Sequence, residues 1–189
     1  ARVIYSGEIA KAIVNTVRGA EKNPGVISLT DLSTYTVKER PAVCASFRGH
    51  QVCGMGPPSS GALTVGQILG LLDRFPAGSR DNPQTMRLVG DASRLAFADR
   101  GRYMADSDFV PMPTKGLVSD DYLSERAKLL TGSTALTEVV AGNPEYSHAS
   151  LWADDVSLEL PSTSHISIVD SYGNVLSMTT TIENGFGSR

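Results

Sequence analysis

The sequence has few of the residues that build metal centres, disulfide scaffolds or nucleic-acid surfaces. It contains only two cysteines and three histidines. Because no Cys-x-x-Cys or His-x-x-x-His spacing occurs, we predict no metal site. The 17 Lys and Arg residues are spread thinly and the formal net charge is -3, which argues against nucleic-acid binding. The longest charge-free apolar stretch, residues 61–72, is far shorter than the ~20 residues of a membrane-spanning helix.

The rest of the composition is that of a globular protein. Hydrophobic residues make up 41% of the chain and charged residues 20%, which provides enough apolar material for a packed core. A length of 189 residues fits one compact unit or a piece of a larger one. We find no internal repeat and no low-complexity tract.

Hydrophobic residues recur at helical spacing in four segments, and a short capped helical turn is predicted at residues 30–32. The first helix covers residues 7–18. The second follows Pro57-Pro58-Ser59-Ser60-Gly61, with Ser59 or Ser60 as the predicted N-cap, and the fourth begins at Ser119-Asp120-Asp121. The apolar stripes of the third and fourth helices are Leu88, Val89, Ala92, Leu95 and Ala96, and Leu123, Ala127 and Leu130.

The two cysteines lie in a predicted β-hairpin. If Arg48-Gly49 is its turn, counting outward along the strands places Cys44 opposite Cys53. A cross-strand disulfide in an oxidising compartment fits this arrangement, and so does a pair of buried free thiols on one sheet face.

A second hairpin is predicted near the end of the sequence. Residues 165–170 alternate in hydropathy, Tyr172-Gly173-Asn174 forms a turn, and residues 175–182 are rich in β-branched side chains. A sheet of only two strands leaves its faces and edges open. We therefore expect the chain to be a fragment of a longer protein or part of an obligate assembly.

Between the helices and this hairpin, residues 131–162 have no periodicity. A connection this long is predicted to be irregular and mobile. It ends at a run of hydroxyl residues, Ser162-Thr163-Ser164-His165, which by itself is typical of a solvated turn before a strand.

The sequence as a whole resembles the γ-glutamyltranspeptidase family of N-terminal-nucleophile hydrolases over residues 5–187. The resemblance implies an α/β (α+β) fold, a stacked αββα sandwich of which this chain holds a central fragment. Four blocks carry it: Pro57-Pro58-Ser59-Ser60-Gly61, Ala98-Asp99-Arg100 with Tyr103 and Asp106, residues 163–170 with Gly173-Asn174, and residues 179–187.

The resemblance implies a zymogen that cuts its own backbone between Ser162 and Thr163. Residues 1–162 would then be the end of the large-subunit region, finishing in the irregular segment 131–162, and residues 163–189 would begin the small subunit. Thr163 would act as nucleophile, and its freed α-amine, with an ordinary pKa of about 7.7–8.0, would accept the hydroxyl proton. We expect residues 131–162 to behave as a tail that covers the site and leaves after cleavage.

Two further site residues follow from the resemblance. Thr181 matches a threonine that hydrogen-bonds the nucleophile, and Glu183 matches a position that contacts the γ-glutamyl group. Asp99 and its motif neighbours are interpreted as a structural ion-pair and hydrogen-bond cluster. The sequence departs from the family at Ser164, where threonine is usual, and at Ala62, where glycine is usual. The family's carboxylate-binding arginine and its oxyanion-hole residues lie outside this chain.

The resemblance implies cleavage of γ-glutamyl amides such as glutathione, with transfer of the acyl group to water or an amino acid and without a cofactor. The expected partners are the small γ-glutamyl substrate and the remaining segments of the same precursor, so the fragment alone should be inactive. Two alternatives stay open: a cephalosporin or glutaryl acylase on the same fold, and a non-catalytic structural fragment. Resemblance also implies a periplasmic or secreted location.

Overall fold

The computed structural model describes residues 2–145 and 163–181, which divide into a smaller unit that ends at Pro41 and a larger unit that begins at Ala42. Ser162 and Glu183 lie outside the described residues. The boundary between the units is one of packing and is separate from the predicted maturation boundary after Ser162.

The smaller unit contains three helices, α1 (Arg2–Tyr5), α2 (Glu8–Arg18) and α3 (Leu29–Thr34). Helix α3 begins with a capping box, because the Asp31 backbone N–H donates to Ser28 Oγ at 3.3 Å and the Ser28 backbone N–H donates to Asp31 Oδ2 at 2.7 Å. The predicted helix at residues 7–18 and the predicted capped turn are both confirmed.

The larger unit opens with an antiparallel hairpin of β1 (Ala42–Phe47) and β2 (His50–Met55). Arg48 and Gly49 form its turn and both have positive φ, 48° and 79°, as a two-residue hairpin turn that follows the strand twist requires. Cys44 pairs with Cys53 in the register, and a disulfide joins them. The predicted register is confirmed, and of the two open alternatives the structure has the bridge.

Four helices and a single 3₁₀ turn follow in the described residues: α4 (Gly61–Leu72), α5 (Pro83–Tyr103), α6 (Thr114–Leu117), α7 (Asp120–Ala127) and the 3₁₀ helix Lys128–Leu130. The three long helices agree with the predictions, whereas α6 is too short to leave a periodic signal.

Each long helix of the larger unit starts differently. Asn82 Oδ1 accepts the Gln84 N–H at 2.8 Å, and Ser119 Oγ accepts the Tyr122 N–H at 3.4 Å. Ser60 occupies the N-cap position of α4 without a side-chain capping bond, while Ser59 Oγ accepts the Gly61 N–H at 3.3 Å.

These helices pack around two adjoining apolar clusters. Leu71 of α4, Leu95 of α5 and Leu123 of α7 meet in the first, and Leu63, Tyr103 and Leu117 meet in the second. No helix in residues 2–145 and 163–181 is long and apolar enough to cross a membrane.

The second hairpin consists of β3 (Thr163–Val169) and β4 (Val175–Thr181), and both strands are exposed along their whole length. The side chain of Asp170 closes its turn. Asp170 Oδ1 accepts the backbone N–H groups of Tyr172 and Asn174, both at 2.9 Å, and Asp170 Oδ2 accepts Asn174 Nδ2 at 2.8 Å. The predicted hairpin and turn are confirmed.

Candidate functional site

The strand register places the predicted nucleophile and its predicted partner opposite each other. Thr163 is the first residue of β3, Thr181 is the last described residue of β4, and the two are direct cross-strand partners. Side chains of directly opposed residues lie on the same face with Cβ atoms about 4.5–5.5 Å apart. The two hydroxyl side chains therefore share one end of one face of the hairpin.

The next two pairs on that face extend it with an imidazole and three more hydroxyls. His165 Nδ1 lies 2.8 Å from Thr179 Oγ1, and His165 Nε2 lies 3.1 Å from Ser167 Oγ and 3.3 Å from Ser177 Oγ. Both ring nitrogens are engaged, which fixes the plane of the ring. Sequence reasoning included His165 in a motif but missed this network. Period-two alternation from Thr163 was the signal that could have found it.

The opposite face of the hairpin is apolar beyond its first pair, Ser164 and Thr180. Ile166 pairs with Met178 and Ile168 pairs with Leu176, and these four side chains keep between 40% and 50% of their surface exposed. One face therefore presents hydroxyl groups and an imidazole, and the other presents one pair of hydroxyl residues followed by four apolar side chains.

A groove of about 600 Å³ lies on the polar face of this hairpin. Ser177 and Thr179 line one wall, and β2 together with the start of α4 lines the other, where Cys53, Ser59 and Ala62 contribute. Its volume is in the range of small-molecule sites. The disulfide hairpin and the Thr163 hairpin thus border the same space.

A buried carboxylate, Asp99 of α5, ties the helical part of the larger unit together. Its side chain is 1% exposed. Oδ2 accepts Gln67 Nε2 at 2.8 Å and the Tyr122 hydroxyl at 2.6 Å, and Oδ1 accepts Arg126 Nη2 at 3.1 Å and the Gly142 N–H at 2.8 Å. Burial, and then the hydrogen bond to Asp99, raises the pKa of the Tyr122 hydroxyl well above its ordinary value of 10.0.

Two other residues of that motif, Arg100 and Tyr103, also bond to neighbouring parts of the chain. Arg100 Nε donates to Ser60 Oγ at 2.9 Å, which links α5 to the start of α4. Tyr103 donates its hydroxyl to the Gly142 carbonyl at 2.7 Å. The interpretation of this motif as a structural cluster fits these contacts, although spacing alone did not identify the partners Gln67, Tyr122 and Arg126.

The described half of the irregular segment, residues 131–145, has no helix or strand and is bound to the helices at several points. The Leu136 N–H donates to Asp91 Oδ2 at 3.1 Å, Arg94 Nη1 donates to the Leu136 carbonyl at 2.6 Å, and Arg126 Nη2 donates to the Val140 carbonyl at 3.0 Å. Residues 131–145 are irregular, as predicted, and side-chain bonds to their backbone take the place of regular structure. A tail that moves away after cleavage stays a prediction.

Gly142 makes the anchoring possible. A Cβ built at this position would collide with the Tyr122 hydroxyl and lie 2.9 Å from Arg126 Cδ.

No three His, Cys, Asp or Glu side chains lie together as metal ligands within residues 2–145 and 163–181.

Comparison with known proteins agrees with the resemblance. The chain is 33% identical over 193 residues to the glutathione hydrolase proenzyme of Bacillus subtilis, which covers 97% of this chain and 32% of the relative. It is 31% identical over 188 residues to the acylase ACY 1 proenzyme of a Pseudomonas species, covering 98% of this chain and 31% of the relative. The chain thus spans about a third of the length of these curated relatives.

A solved structure gives the fold. The crystal structure of Helicobacter pylori γ-glutamyltranspeptidase matches with a TM-score of 0.69 at 29% identity, over 79% of this chain and 43% of that one. The mixed helices and strands are therefore a fragment of the N-terminal-nucleophile hydrolase fold. A family model described as gamma-glutamyltranspeptidase matches residues 1–189, and the chain belongs to the γ-glutamyltranspeptidase family.

Proposed function

We propose that the full-length protein is a γ-glutamyl-transferring enzyme and glutathione hydrolase that uses Thr163 as its nucleophile after scission of the Ser162–Thr163 bond. The observation that carries the proposal is the pairing of Thr163 with Thr181 at one end of an exposed hairpin face. Family membership supplies the reaction class, and the name of the B. subtilis relative supplies the substrate.

Scission frees the α-amine of Thr163, so that one residue then holds both the nucleophilic hydroxyl and its base. The freed α-amine of Thr163 takes the proton of its own hydroxyl, directly or through a water, as Oγ attacks the γ-carbonyl carbon of the substrate. The amide C–N bond then breaks, the amine passes its proton to the departing nitrogen, and an acyl ester remains on Oγ. Water or an amino acid, deprotonated by the same amine, attacks the ester carbonyl; the bond to Oγ breaks, the amine returns the proton to Oγ, and the γ-glutamyl group is released on the acceptor.

Two neighbouring residues support this chemistry. Thr181 holds Thr163 Oγ in its attacking orientation by a hydrogen bond, and the β-branch of Thr163 restricts χ1 so that fewer orientations compete. Glu183 attracts the ammonium group of the γ-glutamyl substrate. The remaining segments of the precursor complete the site, with the carboxylate-binding and oxyanion groups that this chain does not contain.

The location of the enzyme is also a proposal. A disulfide between Cys44 and Cys53 is typical of oxidising compartments, which favours a periplasmic or secreted protein.

The test is the intact mass and the turnover of three full-length proteins: wild type, Thr163→Ala and Thr163→Ser. Wild type is expected as two fragments that meet at Thr163, and Thr163→Ala as one unbroken inactive chain. Thr163→Ser is the matched control, because it keeps a hydroxyl and an α-amine and should retain part of both activities. A Thr163→Ala chain that matures normally and turns over glutathione contradicts the proposal.

The substrate is tested separately, because the similarity to an acylase leaves a second acyl group to compare. Purified enzyme is given glutathione and a glutaryl-cephalosporin at equal concentrations. We expect kcat/KM to be larger for glutathione. The opposite ranking would keep the nucleophile and replace the γ-glutamyl substrate.

A further inference from the structure

The imidazole of His165 joins the two strands of the Thr163 hairpin close to the proposed nucleophile. His165 and Thr179 are direct cross-strand partners, and this pair follows the Thr163–Thr181 pair on the same face of the hairpin. Two residues of a strand span about 6.6–6.8 Å, so His165 is attached to β3 within about 7 Å of Thr163. The ring therefore belongs to the pair next to the one that carries the proposed chemistry.

The ring contacts hydroxyl groups on both strands. On β4, His165 Nδ1 lies 2.8 Å from Thr179 Oγ1 and Nε2 lies 3.3 Å from Ser177 Oγ. On β3, Nε2 lies 3.1 Å from Ser167 Oγ. A neutral imidazole has one donor and one acceptor nitrogen, and a hydroxyl can take either role, so either tautomer can pair with these groups. We call the ring and its three hydroxyl partners the His165 bridge.

The Thr163–Thr181 pair is at the end of the hairpin that is remote from its turn. At the turn, Asp170 Oδ1 accepts the N–H groups of Tyr172 and Asn174. Both strands are exposed along their length, and a sheet of two strands is only marginally stable in water by itself. The His165 bridge lies between the turn and the Thr163 pair, where it opposes separation of the two strands.

The proposed scission changes how Thr163 is held. In the precursor the chain continues on both sides of Thr163, whereas after cleavage Thr163 is the first residue of its chain and is joined on one side only. Chain ends fray, because few bonds there oppose the conformational entropy that opening gains. The next pair on the same face, His165 with Thr179, then limits fraying from the side that remains attached.

We propose that His165 is a positioning residue of the mature enzyme, which keeps Thr163 paired with Thr181 by joining β3 to β4. The inference rests on the proposed function, because it concerns the same nucleophile. In this role His165 exchanges no proton with the substrate. Loss of the bridge lowers the fraction of time for which Oγ and the α-amine are aligned. It therefore slows acylation at saturating substrate and leaves substrate binding unchanged.

The experiment measures single-turnover acylation of the mature full-length enzyme by γ-glutamyl-p-nitroanilide, in which released p-nitroaniline reports the acyl ester. Intact mass gives the processed fraction of each preparation, and rates are expressed per processed enzyme. In His165→Ala the maximal acylation rate should fall about three- to ten-fold, as for one lost hydrogen bond. The half-saturating substrate concentration should stay the same. His50→Ala, at an exposed histidine of β2, is the matched control and should keep the wild-type rate.

Conservative variants separate the bridge from the bulk of the ring. The amide of His165→Asn can replace Nδ1 toward Thr179, and that of His165→Gln can replace Nε2 toward Ser177, so each should recover part of the rate. Thr179→Val keeps the branched shape without the hydroxyl and should slow acylation as His165→Ala does. The double variant should be no slower than the slower single variant, because both changes break the same bond. If His165→Ala fails to mature, Thr179→Val decides.

Three results would overturn the inference: wild-type acylation in Thr179→Val, additive losses in the double variant, or a higher half-saturating concentration at an unchanged maximal rate. The last would assign the imidazole to substrate binding, since Ser177 and Thr179 also line the groove. The proposed function is judged separately by Thr163→Ala. A required Thr163 beside a dispensable His165 removes this inference alone, whereas an active Thr163→Ala enzyme removes the nucleophile itself.

Discussion

The helical part around Asp99 and the hairpin that carries Thr163 treat polar groups in opposite ways. Asp99 is 1% exposed and accepts hydrogen bonds from four donors on three separate stretches of chain. Both strands of the Thr163 hairpin are exposed, and its His165 bonds to hydroxyl groups of the same hairpin. The difference separates the residues that hold the fold from those available for chemistry.

The comparison is tested most severely by Asp99→Ala. The variant leaves the Arg126 guanidinium buried without its carboxylate, and breaking a buried pair in this way costs about 3–5 kcal/mol. Urea unfolding of the full-length protein measures the loss. The same truncation at Thr163 removes an exposed side chain and should change the free energy of unfolding by less than about 0.5 kcal/mol. Equal losses of unfolding free energy in the two variants would contradict the distinction between residues that hold the fold and residues available for chemistry.

Tyr122→Phe removes one donor from Asp99 without opening a cavity. A hydrogen bond to a charged group contributes about 1.5–3 kcal/mol, and the variant should lose stability in that range near neutral pH. Because burial and Asp99 raise the Tyr122 pKa above 10.0, its contribution is fully present below pH 10 and is lost as pH rises beyond that value.

The pH dependence of the free energy of unfolding above pH 10 distinguishes the hydrogen-bonding role of Tyr122 from simple packing. Wild-type stability should fall more steeply with pH above about 10 than that of Tyr122→Phe, which has no phenol to ionise. The measurement is the free energy of unfolding between pH 8 and 11, the working range implied by the ordinary tyrosine pKa of about 10. Parallel curves would show that Tyr122 is not the group responsible.

Gly142→Val tests whether residues 131–145 are held by close approach. The new side chain would collide with the Tyr122 hydroxyl, and overpacking of this kind costs about 1–3 kcal/mol. Gly132→Val in the same segment is the matched control, because nothing lies within 4 Å of a Cβ built there. Limited proteolysis should cut residues 131–145 faster in Gly142→Val only. Identical digestion of the two variants would mean that Gly142 is not an anchor.

The sequence predicted the regular elements well because their signals are local. Helical stripes, the Ser119 cap and the Arg48–Gly49 turn each depend on residues within a few positions, and the structure contains all of them. It predicted that residues 131–145 are irregular, but it did not predict the bonds that anchor them. The bonds that fix this segment join positions 14 to 49 apart, and periodicity carries no information about contacts between a side chain and a distant backbone group.

The candidate site also has a part that the sequence could predict and a part that it could not. Counting along two strands from one turn places Thr163 opposite Thr181, so their proximity follows from hairpin geometry. The groove beside Ser177 and Cys53 could not be predicted, because it forms where two hairpins distant in sequence border one helix. Asp99 was recognised as structural, but its partner Arg126 lies 27 positions away and no pattern marks it.

The smallest expected effect lies in the turn of the Thr163 hairpin. Hydrogen bonds from the side chain and then the backbone of Asn174 lower the pKa of Asp170 below 3.8, so the ionised carboxylate stabilises the turn above that value. As pH falls through the lowered pKa, the contribution is lost. Amide exchange at Tyr172 and Asn174 should therefore quicken on acidification, whereas amides of α5 change little. In Asp170→Ala these two amides should exchange quickly at every pH. In Asp170→Asn, which keeps an acceptor without the charge, their protection should be intermediate and should not depend on the charge of residue 170. Because the carboxylate is exposed, the change should stay within the turn, and a matching loss of protection in α5 would show that the hairpin and the helical part unfold together.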